Sequence, residues 1–361
     1  MNKGMQFINR KTLFAGFSLF LISFPLLLKA QLTSEQIQTA QLEKQQESKK
    51  VRRITSGLEQ KLRRAPASKA FVEKLDFHYA AIEGFDLNPR LKSSSHRGSF
   101  YTEQEMSIAY TDRIKKGFIY RLTYDLWHMN YYNTSNRNIL EQSFKAETAL
   151  RLVPKKLFLE TEYRYVIFRR QHTPIADYNG SKVKLGLKHY LVKGKLYQKP
   201  SWIFRHRGYD KFKVRDAEGN PGSKSRRDNL NVFDYEIGAY LFHHVLIRVH
   251  NRFGRNESND GFKDFFDYSY YSVTPHIAWH VTPKWLFAGG FHYQRNIYDG
   301  RDIKGFPPER ENLTSFFGGL YYQINKYLIW SVNCNQIKNG SNIPDFEYDD
   351  AWFSTGIHVR F

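Results

Sequence analysis

Histidines, carboxylates and basic side chains recur at alternate positions along much of this 361-residue chain, and what they can do depends on which side of the backbone they occupy. Side chains of an extended strand alternate between two faces. His276 and His280 share a face with Ser272, Thr274 and Ala278, opposite Tyr271, Val273, Pro275, Ile277, Trp279 and Val281. His292 and His358 fall on the polar faces of later segments. Histidines on one wall could ligate a metal. His276 and His280, however, stand roughly 13 Å apart at ~3.3 Å per residue, and no cysteine accompanies them. The expectation is no metal and no cofactor. The same alternation gathers Arg121, Lys145, Arg151, Arg164, Arg248, Arg252 and Arg360 on polar faces with Asp125, Glu147, Glu160, Glu162, Asp234 and Glu236. Opposed rows of charge across a water-filled interior would make a transverse field that ions feel. If they pair instead, they hold strands together.

The segments that position these residues are strands. Phe118, Tyr120, Leu122, Tyr124 and Leu126 alternate with Ile119, Arg121, Thr123, Asp125 and Trp127, and the same pattern continues from Leu157, Phe233, Val245 and Trp285. Pro275 removes a ladder donor and predicts a bulge. Short turns at residues 112–116, 153–156, 192–195, 242–244, 281–284 and 324–326 alternate with long polar loops at 85–98, 129–137, 171–180, 208–229, 254–265, 296–312 and 337–347. About 14 strands result, starting near Val72, or 12 or 16 if the first fails or the 208–229 loop hides a hairpin. An internal repeat is also present. Arg227, Asn229, Leu230, Phe233, Val249, Ser258, Asn259 and Asp267 recur 83 positions later as Arg310, Asn312, Leu313, Phe316, Val332, Ser341, Asn342 and Asp350. The Ser-Asn pairs read as turn formers, since Asn bonds its own backbone.

The last strand is the most informative. Phe353, Thr355, Ile357, Val359 and Phe361 alternate with Trp352, Ser354, Gly356, His358 and Arg360. An apolar face ending on a terminal Phe resembles the closing strand of bacterial outer-membrane β-barrels. The resemblance implies that Phe353, Ile357, Val359 and Phe361 form the signal read by the barrel assembly machinery. Composition agrees: aromatics are 16%, with 24 Tyr and 29 Phe, yet mean hydropathy is −0.60. A barrel needs aromatic girdles outside and a polar lumen. The segment 310–361 is also similar to the end of poorly characterised 12- to 16-stranded barrel families, including the barrel of surface-lipoprotein assembly modifiers. That group carries helical repeats before its barrel, which residues 31–70 are too short to supply. Asn256, Glu257, Ser258 and Asn259 faintly resemble the nucleophile segment of outer-membrane phospholipases. Asn256 stands where that family has its base, and without a base the serine is not activated. The expectation is therefore not an enzyme.

Residues 1–30 read as a secretory leader, with Lys3, Arg10 and Lys11 before an uncharged apolar run. An uncleaved membrane helix is the other reading. Residues 31–70 read as a short amphipathic helix, with Val51, Ile54, Leu58 and Leu62 at helical spacing, or as a charged linker. Residues 71–361 form the barrel. Cys334 is the single cysteine and excludes an internal disulfide. The fold class expected is all-β: a transmembrane antiparallel up-and-down barrel with a short N-terminal helix, in the cell outer membrane. The charge of +20 is spread over strand faces and is not a nucleic-acid signal. It implies a porin-like channel for passive diffusion of small solutes, with a preference for anions. Lys211, Lys213, Arg215, Lys224, Arg226 and Arg227 would meet lipopolysaccharide at the outer-membrane lipid surface. The alternative is a non-conducting barrel acting in adhesion, export or lipid handling through its loops. Inward Trp127, Phe168 and Tyr240, or a folded loop, would block the lumen in that case.

Overall fold

Strands that alternate apolar and polar residues must bury one face and pair both edges, and closing the sheet on itself satisfies both demands. The computed structural model describes residues 74–89, 91, 98–115, 117–134, 137–241, 244–262, 264–301 and 307–361. The leader and the helix or linker read at 1–30 and 31–70 lie outside these residues. The strands are β1 (Leu75–Asp86), β2 (Ser99–Lys115), β3 (Phe118–Tyr131), β4 (Ile139–Val153), β5 (Leu157–Arg170), β6 (Tyr178–Val192), β7 (Leu196–Arg215), β8 (Pro221–Leu241), β9 (Val245–Ser258), β10 (Tyr268–His280), β11 (Trp285–Tyr298), β12 (Arg310–Gln323), β13 (Leu328–Ser341) and β14 (Tyr348–Arg360). Each pairs antiparallel with its chain neighbours, and β1 pairs with β14 from His78↔Arg360 to Asp86↔Trp352, closing a 14-stranded barrel. The alternation of short turns and long connections holds around the ring except between β7 and β8, where the connection is a short turn on an extended ribbon.

Strand ends overrun several of the loops read from sequence, as β9 runs to Ser258 and β13 to Ser341, and three features differ more. β1 begins at Leu75 rather than near Val72. Residues 208–229 are not a loop. At 20 and 21 residues, β7 and β8 exceed the ~9–11 needed to cross hydrocarbon. They pair on past the barrel body through two register shifts to Arg215↔Pro221, leaving 216–220 as the turn. Pro275 makes no bulge. The β10–β11 ladder omits Thr274 and Pro275 but resumes in the same register at His276↔Gly290.

Outward side chains form an apolar coat. Phe144, Leu185, Phe253, Phe316 and Phe353 are exposed, and Cys334 stands among them. Inward neighbours are polar and enclosed, as at Ser143, Ser272, Ser315 and Ser331. A water-soluble protein does not display so large an apolar surface, and a closed barrel is the one sheet form that spans a bilayer without orphaned backbone groups. Among the described residues no helix is long and apolar enough to cross a membrane.

Close approach fixes the register at inward Tyr–Gly pairs. Tyr197 lies opposite Gly238, where an added Cβ would meet the tyrosine ring at 2.3 Å. Its hydroxyl donates to Glu236 at 2.6 Å. Tyr101 covers Gly84, and Tyr270 covers Gly254, in the same way. Phe361 finishes the seam by exchanging backbone hydrogen bonds with Phe77 at 3.1 and 3.0 Å, with its ring beside Phe77 and Tyr327.

Leu185→Arg places a charge on the coat at mid-strand. It is expected to cost about 2–4 kcal/mol in urea unfolding from lipid bilayers. A loss below about 0.5 kcal/mol would contradict a lipid-facing position.

Candidate functional site

The lumen has three layers. At the short-turn end a cavity of about 980 Å³ is lined from nearly every strand, with nine Lys or Arg against six Asp or Glu. Arg121 and Arg360 converge there on Asp76, at 3.4 and 3.0 Å. Tyr240 lines its wall and does not block it. Lys188 lies over the rings of Tyr190 and Tyr197 at 5.1 and 4.1 Å. Arg151 sits at the rim beside the Gly117 turn rather than in a constriction, because the β4 register shifts between Arg151 and Val153.

In the middle layer opposite charges pair rather than face each other across open water. Asp234, fully buried, accepts from Lys184 at 2.9 Å, Arg252 at 3.1 Å and His250 at 3.2 Å. Glu236 meets Lys199 at 3.0 Å and Arg248 at 3.7 Å. Lys199 also reaches Glu160 at 3.3 Å, passing Gly186 on the intervening strand, whose missing side chain leaves the way open. Glu162 holds Lys182 at 2.7 Å, and Lys145 lies 3.4 Å from Glu147. Arg164 donates to Glu141 at 3.2 Å. Asp125 accepts from the hydroxyls of Ser107 and Ser143. Two separated rows of unlike sign are therefore not what the fold builds.

The histidines disperse. His276 lies 5.5 Å from His250, ring to ring; His292 bonds Thr274 at 2.7 Å; His358 bonds Ser331 at 2.8 Å and stacks on His78. His280 sits at the short-turn end of β10. Among the described residues, no three His, Cys, Asp or Glu form a group able to hold a metal.

The third layer closes the long-loop end. Tyr101, Trp127, Met129, Tyr131, Phe168, Tyr178, Tyr209 and Phe212 pack with Phe265 and Phe266 of the β9–β10 loop, which crosses from the far side of the barrel. Trp127 and Phe168 thus block the lumen together with a loop. Leu91, from the β1–β2 connection, packs against Leu313, Ile337 and Tyr348. Arginines bind the cap. Arg226 is fully buried, ion-paired with Asp228 and 3.4 Å over the Phe266 ring. Arg301 is equally buried, pairs with Glu309 and stacks on Tyr298. Arg215 is locked to Asp260. Arg215 and Arg226 are therefore not open to an anionic surface, contrary to the sequence reading, because the loop and the β7–β8 ribbon bury each other. Lys211, Lys213, Lys224 and Arg227 remain exposed. The sequence reading offers a folded loop as a block but does not single out this one, because loops are read as solvated. The signal available was Phe262, Phe265 and Phe266 inside one polar loop.

The 83-residue repeat has a structural meaning. Asn259 carries the β8–β9 ladder one step further: its N–H donates to the Arg227 carbonyl at 3.0 Å and its side-chain oxygen accepts the Arg227 N–H at 2.7 Å. Asn342 does the same to Arg310, at 3.2 and 2.6 Å. Ser258 Oγ accepts from the Asp260 N–H, and Ser341 Oγ from the Ile343 N–H, both turn roles. The aspartates are not equivalent. Asp267 is a loop residue that takes the Ser258 N–H, whereas Asp350 lies on β14 and takes the Asn88 N–H. Burial pushes Asp267 up to about 6. Asp216, in the exposed ribbon turn, is held below the usual range by the N–H of Asn220.

Asp234→Asn would leave Lys184 and Arg252 without their shared carboxylate. A loss of about 3–5 kcal/mol is expected in urea unfolding. A change under about 1 kcal/mol would mean that water already screens the cluster.

No family model matches the sequence, and no curated protein matches it. Among solved structures, the chain is similar to outer-membrane expressed OmpT of Vibrio cholerae, at 8% identity over 80% of this chain and 97% of that one, with a TM-score of 0.45. It is similar to the outer membrane channel DcaP of Acinetobacter baumannii at 6% identity, over 80% and 96%, with a TM-score of 0.46. It is also similar to the CymD monoaromatic hydrocarbon channel at 11% identity, over 80% and 88%, with a TM-score of 0.45. At these values no residue role transfers to this chain.

Proposed function

We propose that this barrel, of the Gram-negative outer-membrane type, is a channel for small anionic solutes that is shut at its long-loop mouth at rest. The supporting observation is how the lumen is stopped. The wall leaves a charge-lined cavity open at one end, and the cap across the other end joins Phe265 and Phe266 of a connecting loop to aromatic side chains of the wall. The loop's share of this stopper can leave without unmaking a ladder. The basic excess of the cavity supports anion preference, because the sign of the lining charge biases which ion enters. By the short-periplasmic, long-extracellular pattern of such barrels, the cavity faces the periplasm and the cap faces outward. In this reading residues 1–30 export the chain, and the outward aromatic face of β14 is the assembly signal.

The exposed Lys211, Lys213, Lys224 and Arg227 on the β7–β8 ribbon favour a second reading, a barrel that does not conduct and acts through its loops on anionic lipopolysaccharide.

Planar-bilayer recording in a salt gradient separates the two. The channel reading expects brief, rare openings from the native chain. It expects sustained steps with an anion-side reversal potential from Phe265→Ser with Phe266→Ser. A folded, heat-modifiable barrel that stays silent with both phenylalanines replaced would reject the channel and favour the second reading.

A further inference from the structure

Between the cavity and the cap, the ladders align residues that stand far apart in sequence. Lys145 of β4 pairs in register with Arg164 of β5, Arg164 with Lys182 of β6, and Lys182 with Arg205 of β7. Four cations thus share one level of the inner wall. Directly opposed residues hold their Cβ atoms about 4.5–5.5 Å apart, and like charges at that spacing repel. The level below carries Glu147, Glu162 and Lys184; two levels above lie Phe168, Tyr178 and Tyr209 of the cap.

The protein answers this row only in part. Glu147 and Glu162, from the level below, and Glu141, from two levels above, each reach one cation. Arg205 has no carboxylate within ion-pair distance among the described residues. Two guanidinium nitrogens, Arg164 Nε and, one level up, Arg207 Nε, are enclosed without an acceptor. Arg207 otherwise rests over the Tyr178 ring at 4.8 Å. An enclosed donor without a partner is costly, and two of them beside repelling cations have an obvious complement. Access remains, because Lys145, Arg164 and Lys182 keep 20%, 25% and 28% of their side chains exposed to the lumen.

We propose that the Lys145, Arg164, Lys182 and Arg205 row is a binding site for a soluble oxyanion of the phosphate, sulfate or carboxylate kind. Guanidinium groups present paired donors that match such an anion, while ammonium groups add compact charge. The wall separates the row from the bilayer, where Tyr163 and Val183 face outward, so a lipid headgroup is not the ligand. The inference names the ligand class for the channel reading, and rests on that reading only for how the ligand arrives.

The test uses the full-length barrel, refolded in phosphate-free detergent. Its thermal unfolding is followed against inorganic phosphate, with chloride at matched ionic strength as the comparison. Binding to the folded state alone raises the melting temperature with saturation. Phosphate should raise it above the chloride control. Arg205→Gln and Lys182→Gln should abolish that difference. Arg205→Gln should leave the anion-free protein as stable or more stable, since it relieves repulsion, whereas Lys182→Gln also removes the partner of Glu162 and should lower its melting temperature. Lys224→Gln, on the exposed ribbon, should keep it. Equilibrium dialysis with radiolabelled phosphate gives the same answer without unfolding. A shift equal to that of chloride, or one that survives in Arg205→Gln and Lys182→Gln, would overturn the site. Phosphate bound by a barrel that stays silent in bilayers would uphold the site and reject the channel. Current without phosphate binding would do the reverse.

Discussion

The bilayer offers no partner to a backbone N–H or C=O, and every other feature of this chain follows from that. The sheet must close, so β1 meets β14. Closure fixes a cylinder whose outer face meets lipid and whose inner face must be filled or wetted. The outer face takes what lipid accepts: Phe144, Leu185 and Phe316 rather than a core. The inner face takes everything else the sequence carries, which is why a chain so rich in Lys, Arg, Asp and Glu still folds around them. Enclosed charge is tolerable only when paired and bonded. Asp234 and Glu236, each with several partners, show how the interior meets that condition.

Closed barrels are legible in sequence because the period of two is local. Each strand declares its faces without reference to any other, and the inward placement of Glu236, Arg248 and His358 followed from parity alone. Strand ends were not legible. Parity continues past the membrane, so β7 and β8 ran on where polar residues suggested a loop. Partner choice was not legible either. Lys199 reaches Glu160 across a whole strand because Gly186 stands between them, a fact of register rather than of spacing. The cap was hidden for a further reason. Phe265 and Phe266 pack against apolar side chains on strands β2 to β7, and their clustering in one loop does not say which strands they meet.

The interior divides its two chemistries by height. Aromatic rings and arginines share the long-loop end, where cations over ring faces remain favourable away from water. Lysines, arginines and carboxylates share the open end, where water screens what pairing leaves over. The border between them falls at the level of Lys145, Arg164, Lys182 and Arg205. Four cations meet there in register, and Lys145, Arg164 and Lys182 each have one carboxylate partner.

The seam carries a consequence for time. Arg360 bonds Asp76 across 284 residues of chain. No hairpin can form that contact early, since loop-closure entropy must be met before such a distant pairing repays it. Until Phe361 arrives, the growing sheet has two free edges, each a template for a wrong partner. A barrel of this design is most exposed just before β1 and β14 meet.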